Sequence, residues 1–170
     1  MKFTADISYD ASPSDVYAML LDPAFHEEVC RATGALEHSV QVEPLGPDGA
    51  QGATATTVRT LPSDELPDFV RSFVGSTLEV RRVDTWQAAA ADGSREGTVV
   101  VEILNSPVRL TGTLRMTSTG TGTHELVDGD LKAAVPLLGG RVEKASEPAM
   151  RAAIAKEEEV GSQWLASRRA

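Results

Sequence analysis

At 170 residues and 18.0 kDa, with 41% hydrophobic and 24% charged residues, the chain has the length of one domain, and its composition argues against a disordered, fibrous or multi-domain protein. A chain this long buries roughly 70% of its unfolded surface and needs no disulfide or metal to hold a core, but with only 5% aromatic residues that core must be built from Val, Leu, Ile and Ala. The 16 basic and 25 acidic residues leave a net charge of -9, which repels phosphate backbones and anionic headgroups and argues against nucleic acid as a partner.

Phe3, Ala5, Ile7 and Tyr9 alternate with Thr4, Asp6 and Ser8, the pattern of a half-buried strand. Asp6 falls where a signal peptide needs its apolar stretch, no apolar run approaches the ~18 residues of a membrane span, and the lone Cys30 has no internal disulfide partner. A cytoplasmic location is the resulting expectation. Ser12-Pro13-Ser14-Asp15 is a helix start, with a capping hydroxyl, a proline suited to the first turn and an acidic residue at the positive helix end. Asp22-Pro23 ends that helix and caps a second one, from Ala24 to about Ala32, which Gly34 closes.

From residue 35 the texture is β-rich, with candidate strands at 36–44, 52–60, 77–88, 97–105, 107–117 and 123–135 separated by Gly, Pro and Asp turns. Hairpin-length connections imply an antiparallel meander. The stretch 61–76 differs: Pro62 and Pro67 flank Leu66, Phe69, Val70, Phe73 and Val74, which suggests a short helix or lid over something hydrophobic. After Pro136 the spacing of Leu138, Val142, Ala145, Ala149, Ala153, Val160 and Trp164 predicts one long amphipathic helix, with a kink or offset near Lys144-Ala145 because of Pro148. A curved sheet needs its concave face covered, and that final helix is the element long enough to do so.

The residues 7–23, ISYDASPSDVYAMLLDP, resemble the opening of helix-grip proteins, the superfamily that holds START lipid-transfer domains and polyketide cyclases. Leu61-Pro62 with Leu66-Pro67, Phe73-Val74-Gly75, Asp84-Thr85-Trp86, and the run from Val135 to Glu143 resemble one bacterial family of unknown function within it. The resemblance spans nearly the whole chain. It implies a single α+β helix-grip (START/SRPBCC-like, Bet v 1-like) domain over 1–170, with a curved antiparallel sheet of about seven strands around a long C-terminal helix and two short helices between strands 1 and 2. It further implies a hydrophobic cavity, and brings no established reaction and no catalytic residue.

Candidate cavity residues follow from the pattern. Phe69, Phe73, Trp86 and Trp164 either line a pocket or fill the core. Alternation along 108–116 puts Leu110, Gly112, Leu114 and Met116 on one apolar face, where Gly112 marks a bend or a close approach. Ala149 and Ala153 on the long helix, with Ala145, leave either space or close packing. For catalysis, Glu102, set among Val99, Val100, Val101, Ile103 and Leu104, is the carboxylate to be drawn inward, and His124 begins the last strand; the alternative is that both face solvent. Asp128 and Asp130 are the remaining polar groups of that kind.

His26 and Cys30 are spaced like half a metal site, but no further ligands assemble around them, so no metal and no cofactor is expected and the helix is read as a solvated acidic face. Glu157-Glu158-Glu159 is read in the same way. Three functions fit: a carrier or sensor of a hydrophobic small molecule such as a lipid, sterol-like compound or polyketide; a cyclase, aromatase or hydratase using Glu102 or His124; and a protein-interaction module using the apolar insert.

Overall fold

The computed structural model describes residues 1–169, and within them the alternating and helical runs form the expected elements in the expected order. Strand β1 (Lys2–Tyr9) leads into α1 (Pro13–Leu20) and α2 (Pro23–Ala32), followed by β2 (Glu37–Leu45) and β3 (Gly52–Pro62). The insert carries α3 (Asp68–Val74), and β4 (Thr77–Gln87), β5 (Arg95–Ile103), β6 (Val108–Ser118) and β7 (Thr123–Ala133) complete the meander before α4 (Gly139–Arg169). The described residues thus form one seven-stranded antiparallel sheet in the order β1-β7-β6-β5-β4-β3-β2, in which β1 and β2, separated in sequence by two helices, form opposite edges.

The caps work as their chemistry dictates. Ser12 accepts from the Asp15 amide at 3.2 Å and Asp22 from the Ala24 amide at 3.0 Å, each satisfying a donor that helix geometry leaves unpaired. Gly34 takes a left-handed backbone (φ 80°) just beyond α2. Helix α4 continues without a break through Pro148, whose missing amide leaves the Lys144 carbonyl without its intrahelical donor. No helix among the described residues is long and apolar enough to cross a membrane.

Period-two alternation aims one side of β1, β6 and β7 at the concave face that α4 covers. Phe3, Ile7, Leu110, Leu114, Met116, Val127 and Leu131 are buried on this concave face, where they meet Val142, Val160 and Leu165 of the helix. Two glycines permit the close approaches. A Cβ on Gly161 would lie 2.5 Å from the Tyr9 ring, so α4 reaches β1 only because that position has no side chain.

Gly112 faces Gly129 across β6 and β7, and a Cβ there would sit 2.4 Å from the Asp128 carbonyl oxygen. Backbone cannot rotate away as a side chain can. Gly112→Ala is therefore expected to cost about 1–3 kcal/mol, and a thermal midpoint equal to that of the parent protein would show that the sheet relaxes there freely.

Candidate functional site

The concave face and α4 do not close completely. A cavity of ≈160 Å3 lies between them, walled by Val99, Val101, Leu110, Val127 and Leu131 of the sheet and by Ala149, Met150, Ala153 and Ile154 of α4. Its cause is local: where the larger Val160 and Leu165 meet the sheet the core is filled, and where Ala149 and Ala153 face it the gap remains. Ala149 is exposed as well as lining, so the cavity opens at that point of the helix.

Leu61, Leu66 and Val70 of the insert line the cavity. Phe69 and Phe73, expected there, do not: Val70 is the buried residue of the short α3, and helical spacing puts Phe69 and Phe73 together on a neighbouring side of it. Phe69 is half-buried with the Arg141 guanidinium 4.7 Å from its ring centre, tying the insert to the start of α4, and Phe73 is 46% exposed.

Of the other expected lining residues, Leu110, Ala149 and Ala153 come together at the cavity. Trp86, Leu114 and Met116 share the inward face but lie in the filled part of the core, a correction that follows from the larger residues packed against them. Gly112 presents only backbone, hemmed in by β7. Trp164 packs edge-on against Phe25 at 5.9 Å and carries Arg168 over its face, outside the cavity.

The two catalytic candidates face the outer side. Glu102 pairs with Arg81 and Arg109, its register neighbours on β4 and β6, at 3.4 and 3.3 Å. His124 contacts Asp6 of β1 at 2.8 Å. With Val99, Val101 and Ile103 pointing inward, residue 102 must point outward; the apolar residues beside it in sequence belong to the opposite face.

The inward polar residues are others. Arg82 of β4 forms ion pairs with Asp84, at 2.8 Å, and with Glu157 of α4, all on the concave side. Burial pushes the Asp84 carboxyl above its usual range despite Arg82. Glu125 of β7 is 2% exposed, and burial, reinforced by the negative charge of Glu157, pushes its pKa to about 8. The Tyr9 hydroxyl nearby has no hydrogen-bond partner, and burial raises its pKa strongly.

Arg59 of β3 adjoins this cluster. Its Nη1 donates to Thr33 Oγ1 at 2.9 Å, and its Nε has no partner. Arg59 and Arg82 line both the apolar cavity and a small polar pocket of ≈20 Å3 shared with His26, Cys30, Asp84 and Glu157.

Three of these placements correct the sequence reading. His26 and Cys30 are buried, because α2 turns Phe25, His26, Val29 and Cys30 to the core while Glu27 and Glu28 pair with Arg31 outside. Glu157 is only 6% exposed, one helical turn before Val160 and Gly161 on the same inner face, so the acidic run is not wholly solvated. No group of three or more His, Cys, Asp or Glu among the described residues is placed to hold a metal ion.

Comparison with solved structures places the architecture among helix-grip proteins. A protein from Thermus thermophilus, TTHA0849, superposes with a TM-score of 0.62 at 14% identity, covering 100% of both chains. A STAR-related lipid transfer protein from Xanthomonas axonopodis gives 0.59 at 11% identity over 96% of this chain and 85% of that one. Norcoclaurine synthase from Thalictrum gives 0.53 at 14% identity over 100% and 96%. At such identities the likeness is one of fold. No curated protein matches the sequence. A family described as a protein of unknown function, DUF2505, matches residues 4–165, nearly the full length, and the chain belongs to that family.

Proposed function

We propose that this protein binds a small hydrophobic molecule between its sheet and α4. The observation that supports this reading is the ≈160 Å3 space, walled almost wholly by aliphatic side chains and covered by Leu66 and Val70 of a separate insert. A cavity of about 150 Å3 lined by apolar residues is large enough to admit benzene, so in this form the site takes one ring or a short acyl chain. A lipid, sterol-like compound or polyketide of greater bulk needs the α3 insert to swing outward. The lipid-transfer protein and the synthase that share the fold are compatible with this use of the cavity. The cyclase or hydratase reading loses the two residues on which it was built, since Glu102 and His124 face outward.

Calorimetric titration with octan-1-ol tests the reading directly. Saturable binding of one molecule per chain is expected, and Ala153→Phe, which extends a ring into the space, is expected to weaken it about tenfold or more, the loss of roughly 1.4 kcal/mol of contact. Absence of saturable binding in the parent protein, both of octan-1-ol and of the same eight-carbon chain carrying a charged head, would overturn the reading.

A further inference from the structure

We infer that the ligand of this cavity is a monocarboxylic acid, with its hydrocarbon part among the aliphatic walls and its carboxylate on Arg59. The inference rests on reading the cavity as a binding site and adds the chemistry of the ligand's polar end.

Arg59 is 9% exposed, and no carboxylate among the described residues lies within ion-pairing distance of it. The two that could serve, Asp84 and Glu157, are both engaged by Arg82. Of the Arg59 donors, Nη1 is used by Thr33 and Nε is bare. Buried cations are ordinarily paired, since desolvation of a charge is costly and only a counterion with good hydrogen bonds offsets it. Here burial, and after it the like charge of Arg82, push the guanidinium pKa below its usual value, so its surroundings leave the cation undercompensated.

Its position gives that unused capacity a use. Arg59 lies where the apolar cavity meets the small polar pocket, so an acid whose chain occupies the first presents its head at the second. A guanidinium edge offers two parallel N–H donors matched to the two oxygens of a planar carboxylate. A phosphate monoester fits less well: its second charge would meet Asp84 and Glu157, which line the same ≈20 Å3 pocket.

Octanoate, octan-1-ol, octylamine and octyl phosphate share a chain and differ in the head, and calorimetric titration of the intact protein with each separates the head from the cavity. Octanoate is expected to bind about 10- to 100-fold more tightly than octan-1-ol, the worth of hydrogen bonds to a charged group, with octylamine weakest. Arg59→Met keeps bulk and apolar character and leaves the Thr33 hydroxyl donating to the Val29 carbonyl, so the variant retains a cavity and is expected to bind octan-1-ol while losing the preference for octanoate. Arg59→Lys is expected to keep part of it. If octan-1-ol binds as tightly as octanoate, if the preference survives in Arg59→Met, or if octyl phosphate binds best, the carboxylate assignment is overturned and the cavity reading stands. If none of the four binds, the cavity reading fails and this inference fails with it.

Discussion

Replacing Glu125 with glutamine is expected to leave the pH dependence of stability much flatter, with the variant gaining on the parent protein as pH rises. The carboxyl belongs near 4.5 when exposed and is pushed to about 8 in the fold, first by burial and then by the charge of Glu157. Below about pH 4.5 it is protonated in folded and unfolded chains alike, and the fold holds no buried charge at this position. Between the two values the unfolded chain releases a proton that the folded chain retains, so stability falls as pH increases. Above about pH 8 the fold must hold a buried carboxylate, and the whole contribution is gone. At roughly 1.4 kcal/mol per unit, the window is worth on the order of 5 kcal/mol. Glutamine has nearly the same shape and no proton to lose. In urea unfolding at a series of pH values, the difference between Glu125→Gln and the parent should be constant in acid and should grow in the variant's favour toward about pH 8. Parallel profiles would mean that Glu125 ionises in the fold at little cost. Taking the difference removes Asp84, which burial also raises but which both proteins share.

The elements themselves were legible because each carries a local cause. Ser12-Pro13 and Asp22-Pro23 mark helix starts whatever surrounds them, and the Asp92-Gly93 and Asn105-Ser106-Pro107 turns separate strands whose ends fall within a few residues of the expected ones. The cavity was legible only in part. Ala149 and Ala153 announce a missing volume, but whether the opposite sheet fills it depends on which side chains of distant strands meet there, and no one-dimensional pattern displays that.

The polar site was missed although its signal was present. The alternation applied to 108–116 also puts Leu78, Val80, Arg82, Asp84 and Trp86 on one face of β4, and Thr123, Glu125, Val127 and Leu131 on one face of β7. Charged residues at alternating positions with buried aliphatics were the evidence, whereas Glu102 drew attention through neighbours in sequence rather than neighbours on its face. Arg59 was harder to see, since a lone arginine in a Thr-rich strand reads as an edge charge until α2 is placed over it and Thr33 meets its guanidinium.

Arg82→Met is expected to be the most damaging single change in the site, costing about 3–5 kcal/mol, because it strands two buried carboxylates at once. Burial opposes the Arg82 charge, but Asp84 and Glu157 together hold its pKa well above the usual value, so the three groups act as one unit joining β4 to α4. Removing all three charges should be milder than removing one: Arg82→Met combined with Asp84→Leu and Glu157→Met replaces the ion pairs with apolar packing and is expected to recover most of the loss. Thermal and urea unfolding of the single and triple variants check this, and a single variant within about 1 kcal/mol of the parent would show the pairs to be dispensable. The same substitution bears on ligand choice. Arg82 engages the carboxylates beside Arg59, and without it Asp84 and Glu157 become available to the Arg59 guanidinium. Arg82→Met is therefore expected to lose the preference for octanoate over octan-1-ol even though Arg59 is untouched, whereas the triple variant, lacking both competing carboxylates, is expected to regain it.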